Sequence, residues 1–175
     1  MLITSFRTYA IGIAVATIAG ALAMGTATAA PKAPTKKKMA IVGHFVFKTG
    51  KSAFDDQHFT PRKFDIRSGG TVTLRNKART EDPHTISLVK KSQLPDSFNC
   101  EVCGAIFGAH GVNEQTGGIA NPVVDVGAAG FDQPGDSMFI PPHGKVSFDV
   151  TAPAGTTLHF MCAVHPWMQG RIKVR

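Results

Sequence analysis

Apolar and polar residues alternate along most of the chain from Met39 onward, in short runs broken by glycine and proline. Thr71-Val72-Thr73-Leu74-Arg75, Lys145-Val146-Ser147-Phe148-Asp149-Val150 and Arg171-Ile172-Lys173-Val174-Arg175 place apolar side chains at every second position. That period marks strands with one face in a core and the other in water. Met39 to Phe47, rich in β-branched and aromatic residues, reads as one strand ending at the turn Lys48-Thr49-Gly50-Lys51. Lys63 to Arg67 and Thr71 to Arg75 flank Ser68-Gly69-Gly70 and predict a β-hairpin. Ser137 to Ile140 and Lys145 to Val150 flank Pro141-Pro142-His143-Gly144, and Pro153-Ala154-Gly155 turns the chain into a strand over Thr157 to Phe160. Many short strands with Gly and Pro turns predict an all-β protein, a β-sandwich.

The alternation fails twice. From Lys90 to Pro134 glycine-rich runs replace it, which predicts a long irregular insertion over 90–134 before the last strands, functional or disordered. At the other end, Met1 to Ala29 carries one charged side chain, Arg7, an apolar run over Ala10 to Met24, and Ala27-Thr28-Ala29 as a cleavage signal. This reads as a signal peptide over 1–29. An uncleaved anchor is the alternative, although the run falls short of the roughly 18 residues that span a bilayer. No Cys lies near the cut, so a lipid anchor is not supported. Ala30 to Lys38 mixes Pro, Ala, Thr and Lys and predicts a flexible basic leader over 30–38. One domain follows over 39–175, a length that supports a single core.

Charge adds a partner class. The formal net charge is +7, and removing Arg7 with the signal leaves +6, which suits acidic redox partners or an anionic surface. Part of the excess is the tail Lys32, Lys36, Lys37, Lys38. No basic patch interleaved with aromatics is present, so nucleic acid is not expected. The expectation is an exported, periplasmic or extracellular monomer without stable membrane insertion once the signal is removed.

The candidate chemistry sits near the C-terminus. Phe160-Met161-Cys162-Ala163-Val164-His165-Pro166-Trp167-Met168-Gln169-Gly170 sets a thiolate, an imidazole and a thioether at Cys-x2-His-x2-Met spacing in one turn between two strands. Singly such residues are ordinary core material. Together, soft sulfur donors with a borderline imidazole select copper over hard, oxygen-seeking ions. A second His is needed. In Asp82-Pro83-His84-Thr85-Ile86-Ser87-Leu88, His84 shares a face with Ile86 and Leu88. Counted back from the turn, Leu158, Phe160 and Cys162 share one face while His159 and Met161 take the other, so His159 is not expected to bind. The candidate ligands are His84, Cys162 and His165 in a trigonal plane, with Met168 as a weak axial ligand. His165 should reach the surface within an apolar rim of Pro166 and Trp167. His44 reads as a strand residue and His143 as a loop residue.

Those residues, with Asn76 and Pro83-His84 upstream, resemble the signature of the cupredoxins, the small blue-copper proteins, over roughly Met39 to Arg175 apart from the insertion. The two-residue gap before Met168 is similar to that of amicyanin and shorter than that of plastocyanin. The resemblance implies a Greek-key sandwich, one type 1 copper, and a steadying role for the Asn76 side chain on the loop before His84.

Cys100 and Cys103 remain. In an exported chain two leftover cysteines most often pair; a second metal site with His110 and a thiol-exchange role are the other readings. The function expected is that of a non-enzymatic electron carrier. The rival is a copper chaperone or storage protein, which would need a more exposed site. An oxidase would need a second copper centre, and the His-x-His pairs of trinuclear sites are missing from the sequence.

Overall fold

The computed structural model describes residues 32–113 and 116–175; the segment read as a signal peptide lies outside them. Strands β1 (Lys36–Val42), β4 (His58–Thr60), β6 (Gly70–Asn76) and β10 (Lys145–Val150) form a four-stranded sheet in the order β10-β6-β1-β4. Strands β5 (Lys63–Ile66), β7 (His84–Val89), β8 (Asp125–Val126), β9 (Ser137–Ile140), β11 (Thr157–Met161) and β12 (Gln169–Val174) form a six-stranded sheet in the order β5-β12-β11-β7-β9-β8. One buried cluster joins Ile41, Val72, Leu74 and Val146 from the first sheet to Ile66, Ile86, Phe160 and Ile172 from the second. The fold is a β-sandwich, and the alternation of the strands is what fills it: β10 reads exposed-buried without a break from Lys145 to Val150. Pairing is mixed, since β1 runs parallel to β6 and β12 parallel to β5.

Two of the expected elements differ. The run from Met39 to Phe47 is not one strand. It breaks at Gly43, whose φ of +120° suits glycine and where a Cβ would stand 2.6 Å from the Gln57 Cα. Beyond the break β2 (Phe45–Lys48) leaves the sandwich and pairs with β3 (Ser52–Asp55) in a separate two-stranded arm, with His44 in the break. Nor do β5 and β6 make a hairpin: Ser68-Gly69 carries the chain from one sheet to the other. The alternation of Phe64, Ile66, Val72 and Leu74 was right, but a buried face can meet its partner across the core as well as beside it. The chain also crosses between sheets from β6 to β7, β9 to β10 and β10 to β11, as Greek-key sandwiches do.

Strand β1 starts at Lys36, inside the stretch expected as leader, and pairs Lys36, Lys37 and Lys38 with Thr71, Val72 and Thr73. Backbone hydrogen bonds along an exposed edge need no apolar period. In the insertion, a short helix α1 (Cys103–Ala109) and β8 are the regular pieces beside one 3-10 turn. Val102, Ile106 and Phe107 pack there against Val89, Met161 and Ala163, on the outer face of β7 and β11. Consequently β7 is buried on both faces, at all six residues. No helix among the described residues is long and apolar enough to cross a membrane.

Candidate metal centre

His84 opens β7 and is fully buried. The loop before it is held by Asn76, whose Nδ2 donates to the Asp82 carbonyl at 3.1 Å and the Pro141 carbonyl at 3.4 Å while its Oδ1 accepts from the Ala78 amide at 3.1 Å. Cys162 follows β11 directly, and the turn it starts is closed by two backbone bonds. Cys162 N–H donates to the Met168 carbonyl at 2.9 Å and Met168 N–H to the His165 carbonyl at 2.8 Å. Just beyond the turn, Gly170 in β12 pairs with Phe160 in β11 and leaves no room for a side chain: a Cβ there would strike the Phe160 ring and the Arg62 carbonyl.

The two elements bring three donors together. The donor atoms of His84, Cys162 and His165 lie within 4.8 Å of one another, all three residues buried. Cys162 Sγ stands 3.7 Å from His84 Nδ1 and 3.9 Å from His165 Nδ1. Both spans are short enough for one metal ion at ordinary bond lengths of about 2.0–2.3 Å to touch the sulfur and a ring nitrogen together. Among the described residues this is the group able to hold a metal ion, and its thiolate and imidazole donors fit copper.

Burial favours neutral rings for the two histidines and a protonated thiol for the cysteine while no metal is bound. Burial, then the charge of His165, pushes His84 down to about 3, so its ring is neutral at pH 7; its Nε2 is buried without a hydrogen-bond partner. Burial also lowers His165, with Asp55 and Asp82 opposing. Burial raises the Cys162 thiol against the Thr85, His165 and Val164 backbone and the Thr85 hydroxyl. A buried thiolate needs a cation, and these are the surroundings in which a metal supplies it.

His165 does not reach the surface as expected; it is 6% exposed. The end of β3, the segment after it and the loop before His84 cover it, placing its Nε2 3.7 Å from Asp55 Oδ2, 3.3 Å from Gln57 Nε2 and 4.0 Å from Asp82 Oδ2. Gln57 is itself fully buried, donating to Asp55 and Asp82 and accepting from the Thr80 hydroxyl. Trp167 lies over the imidazole with ring centres 5.0 Å apart and donates from Nε1 to the Gln57 carbonyl at 3.2 Å. Sequence reasoning missed this cover; the signal was Asp55-Asp56-Gln57, a polar run too short and too far from the turn to be linked with it. Pro166 is buried rather than at the rim, where exposed Phe98 meets Trp167 edge-on at 5.5 Å.

Met168 is buried in the same cluster of side chains as Cys162. His159 stands apart from the group, as its strand face dictates. His143 is an exposed loop residue paired with Glu81, and His44 pairs with Asp56. Cys100 and Cys103 form a disulfide. The metal site considered for them with His110 does not form, because both thiols are consumed and both His110 ring nitrogens are bonded, to the Val123 carbonyl and the Ser137 hydroxyl.

No family model matches the chain, and no curated protein matches it. Solved structures similar to it include a reduced auracyanin from the photosynthetic bacterium Roseiflexus castenholzii, at 21% identity and a TM-score of 0.45 over 82% of this chain and 99% of that one. A purple cupredoxin from Nitrosopumilus maritimus shows 14% identity and a TM-score of 0.44 over 79% and 99%. Auracyanin A, a blue copper protein from Chloroflexus aurantiacus, shows 22% identity and a TM-score of 0.42 over 79% and 99%.

Proposed function

We propose that the protein is an exported, periplasmic or extracellular carrier of single electrons. It is read as a member of the cupredoxins that uses one type 1 copper held by His84, Cys162 and His165, with Met168 as the weak axial ligand. The observation that carries this reading is the buried donor group itself: two imidazole nitrogens 3.7 and 3.9 Å from one thiol sulfur. When bound, copper supplies a centre that changes oxidation state by one electron. The chain's part is to keep the donors in one arrangement for both states, so that little rearrangement adds to the barrier for transfer. Asn76 fixes the loop before His84, the closed turn fixes Cys162 and His165, and Gln57 and Trp167 hold the far edge of the His165 ring away from water. No substrate chemistry is called for, and the protein is read as a non-enzyme.

A copper chaperone or storage protein must surrender its metal, and the full burial of Cys162 and His84 speaks against exchange. Trp167 and Phe98 offer an aromatic contact for brief docking of a redox protein, and the positive charge suits an acidic one; the carrier is read as a monomer, with no role in binding nucleic acid. Titration of the metal-free chain with Cu(II) and recording of the visible spectrum test the proposal. One equivalent should produce intense thiolate-to-copper absorption toward the red end of the visible range. A chain that takes zinc, refuses Cu(II) and stays colourless would sink it.

A further inference from the structure

The β2–β3 arm pairs with neither sheet of the sandwich, yet it holds three phenylalanines in water: Phe45, Phe47 and Phe54 are 50%, 65% and 56% exposed. The register of the two strands sorts them. Phe45 pairs with Asp55 and Phe47 with Ala53, while Phe54 pairs with Val46. Opposed residues share a face, so Phe45 and Phe47 stand on one face of the ribbon and Phe54 on the other. Both faces are therefore apolar, and an exposed apolar surface of this kind marks a place of contact. The tip is cationic. Lys48 and Lys51, both exposed, flank Thr49-Gly50 in a turn closed by the Lys51 amide on the Lys48 carbonyl at 2.9 Å. The acids lie at the other end of the arm: Asp55 turns its carboxylate to His165 Nε2 at 3.7 Å, and Asp56 at the root holds His44 Nδ1 at 3.0 Å.

We propose that this arm docks the protein on an anionic membrane surface, entering to the depth of the lipid headgroups without crossing. The two faces and the charge choose the occupant. A protein groove covers one face of a ribbon and leaves the rings of the other in water, whereas a headgroup layer closes round both. Two paired strands stand only about 5 Å apart, so a shallow entry surrounds the whole arm. The phenyl rings then lie against the upper acyl chains, and the lysine stems run back along the ribbon to set their ammonium groups among the phosphates. The formal net charge of +7 draws the rest of the molecule the same way.

The arm leaves the sandwich at a fixed place. His44 N–H donates to Asp56 Oδ1 at 2.7 Å and Asp56 N–H to the His44 carbonyl at 3.3 Å, which ties the two strands together at the root. The four residues of β3 span roughly 13 Å at the rise of a strand, and the last of them, Asp55, lies beside His165. Docking therefore brings the covered edge of the candidate centre toward the bilayer, whatever ion that centre carries.

The test mixes the full chain, at low salt, with vesicles of phosphatidylcholine and phosphatidylglycerol in equal parts. Binding is read by sedimentation of the vesicles, and backbone hydrogen exchange by mass spectrometry. A two-stranded ribbon is marginally stable alone in water, so the amides of residues 45–55 should exchange fast in solution and slowly on the vesicles, while those of β6 and β10 should not respond. Lys48→Gln with Lys51→Gln should weaken binding about 25-fold, at about fivefold for each lysine near an anionic surface. Phe47→Ser with Phe54→Ser should weaken it about tenfold or more. Both pairs of changes lie outside the sandwich, and the lysine pair leaves every ring of the arm in place. Residues 1–29 are the same in all these chains, so the comparison and the exchange at residues 45–55 read the arm. Arm amides that exchange alike with and without vesicles overturn the proposal, as does equal binding by wild type and both double variants. Equal binding to phosphatidylcholine alone would also overturn it. So would protection that appears without lipid and grows with protein concentration, which gives the arm to a second copy of the chain.

Discussion

Each of the four proposed ligands has a separable job, which substitution can expose. An axial thioether contributes little binding energy and favours Cu(I), whereas the thiolate dominates affinity and colour. Met168→Gln should keep copper and the charge-transfer band while lowering the reduction potential, read by voltammetry; an unchanged potential would remove Met168 from the site. Cys162→Ser should lose the band and most of the affinity. The histidines make a second prediction, in the metal-free chain. His84 is depressed in the fold to about 3, so the unfolded chain binds the extra proton between roughly pH 6.5 and 3, and stability falls as pH drops through that window. The loss from His84 amounts to about 4–5 kcal/mol at the acid end. Urea unfolding at pH 7 and pH 4 checks it; equal midpoints would contradict the neutral, buried His84. At this scale the sequence was informative where chemistry and spacing coincided, and silent on Gln57, which acts from more than a hundred residues away.

Strands were legible because their burial pattern is local, and their partners were not, because pairing is chosen by the whole sandwich. Thr71 to Arg75 alternates equally well beside Lys63 to Arg67 or across the core from it, so the predicted hairpin became a crossing between sheets. The break at Gly43 was equally hidden: its cause is the approach of Gln57, which no stretch of nine residues reveals. The insertion was recognisable by its lack of period, and its disulfide by cysteine arithmetic in a chain read as exported. The Cys100–Cys103 bond closes a short loop at the start of α1, while Cys162 stays free and buried. Denatured, metal-free protein isolated without reductant should therefore titrate with one thiol. Three thiols would refute the pairing and leave α1 without its staple.

For the molecule as a whole, the β-sandwich followed from the strands and the meeting of His84, Cys162 and His165 from the ligand motif, while the covered state of His165 did not, because the arm beside it belongs to neither sheet of the sandwich. The net charge of +7 acts at this scale too. Association with an acidic redox partner should slow steeply as ionic strength rises from about 10 mM to 150 mM, where the screening length shrinks to about 8 Å. Stopped-flow electron transfer measures this; a rate indifferent to salt would point to docking through Trp167 and Phe98 alone.

The cover over His165 bears on how the protein is assembled. His84 and Cys162 are 78 residues apart in the chain, and Gln57 and His165 are 108 apart, so only the folded sandwich brings His84 and this cover to the turn that carries Cys162 and His165. Because Gln57, Asp55 and Trp167 close the edge by which a ligand histidine would otherwise meet solvent, small anions in solution have no direct approach to the His165 ring.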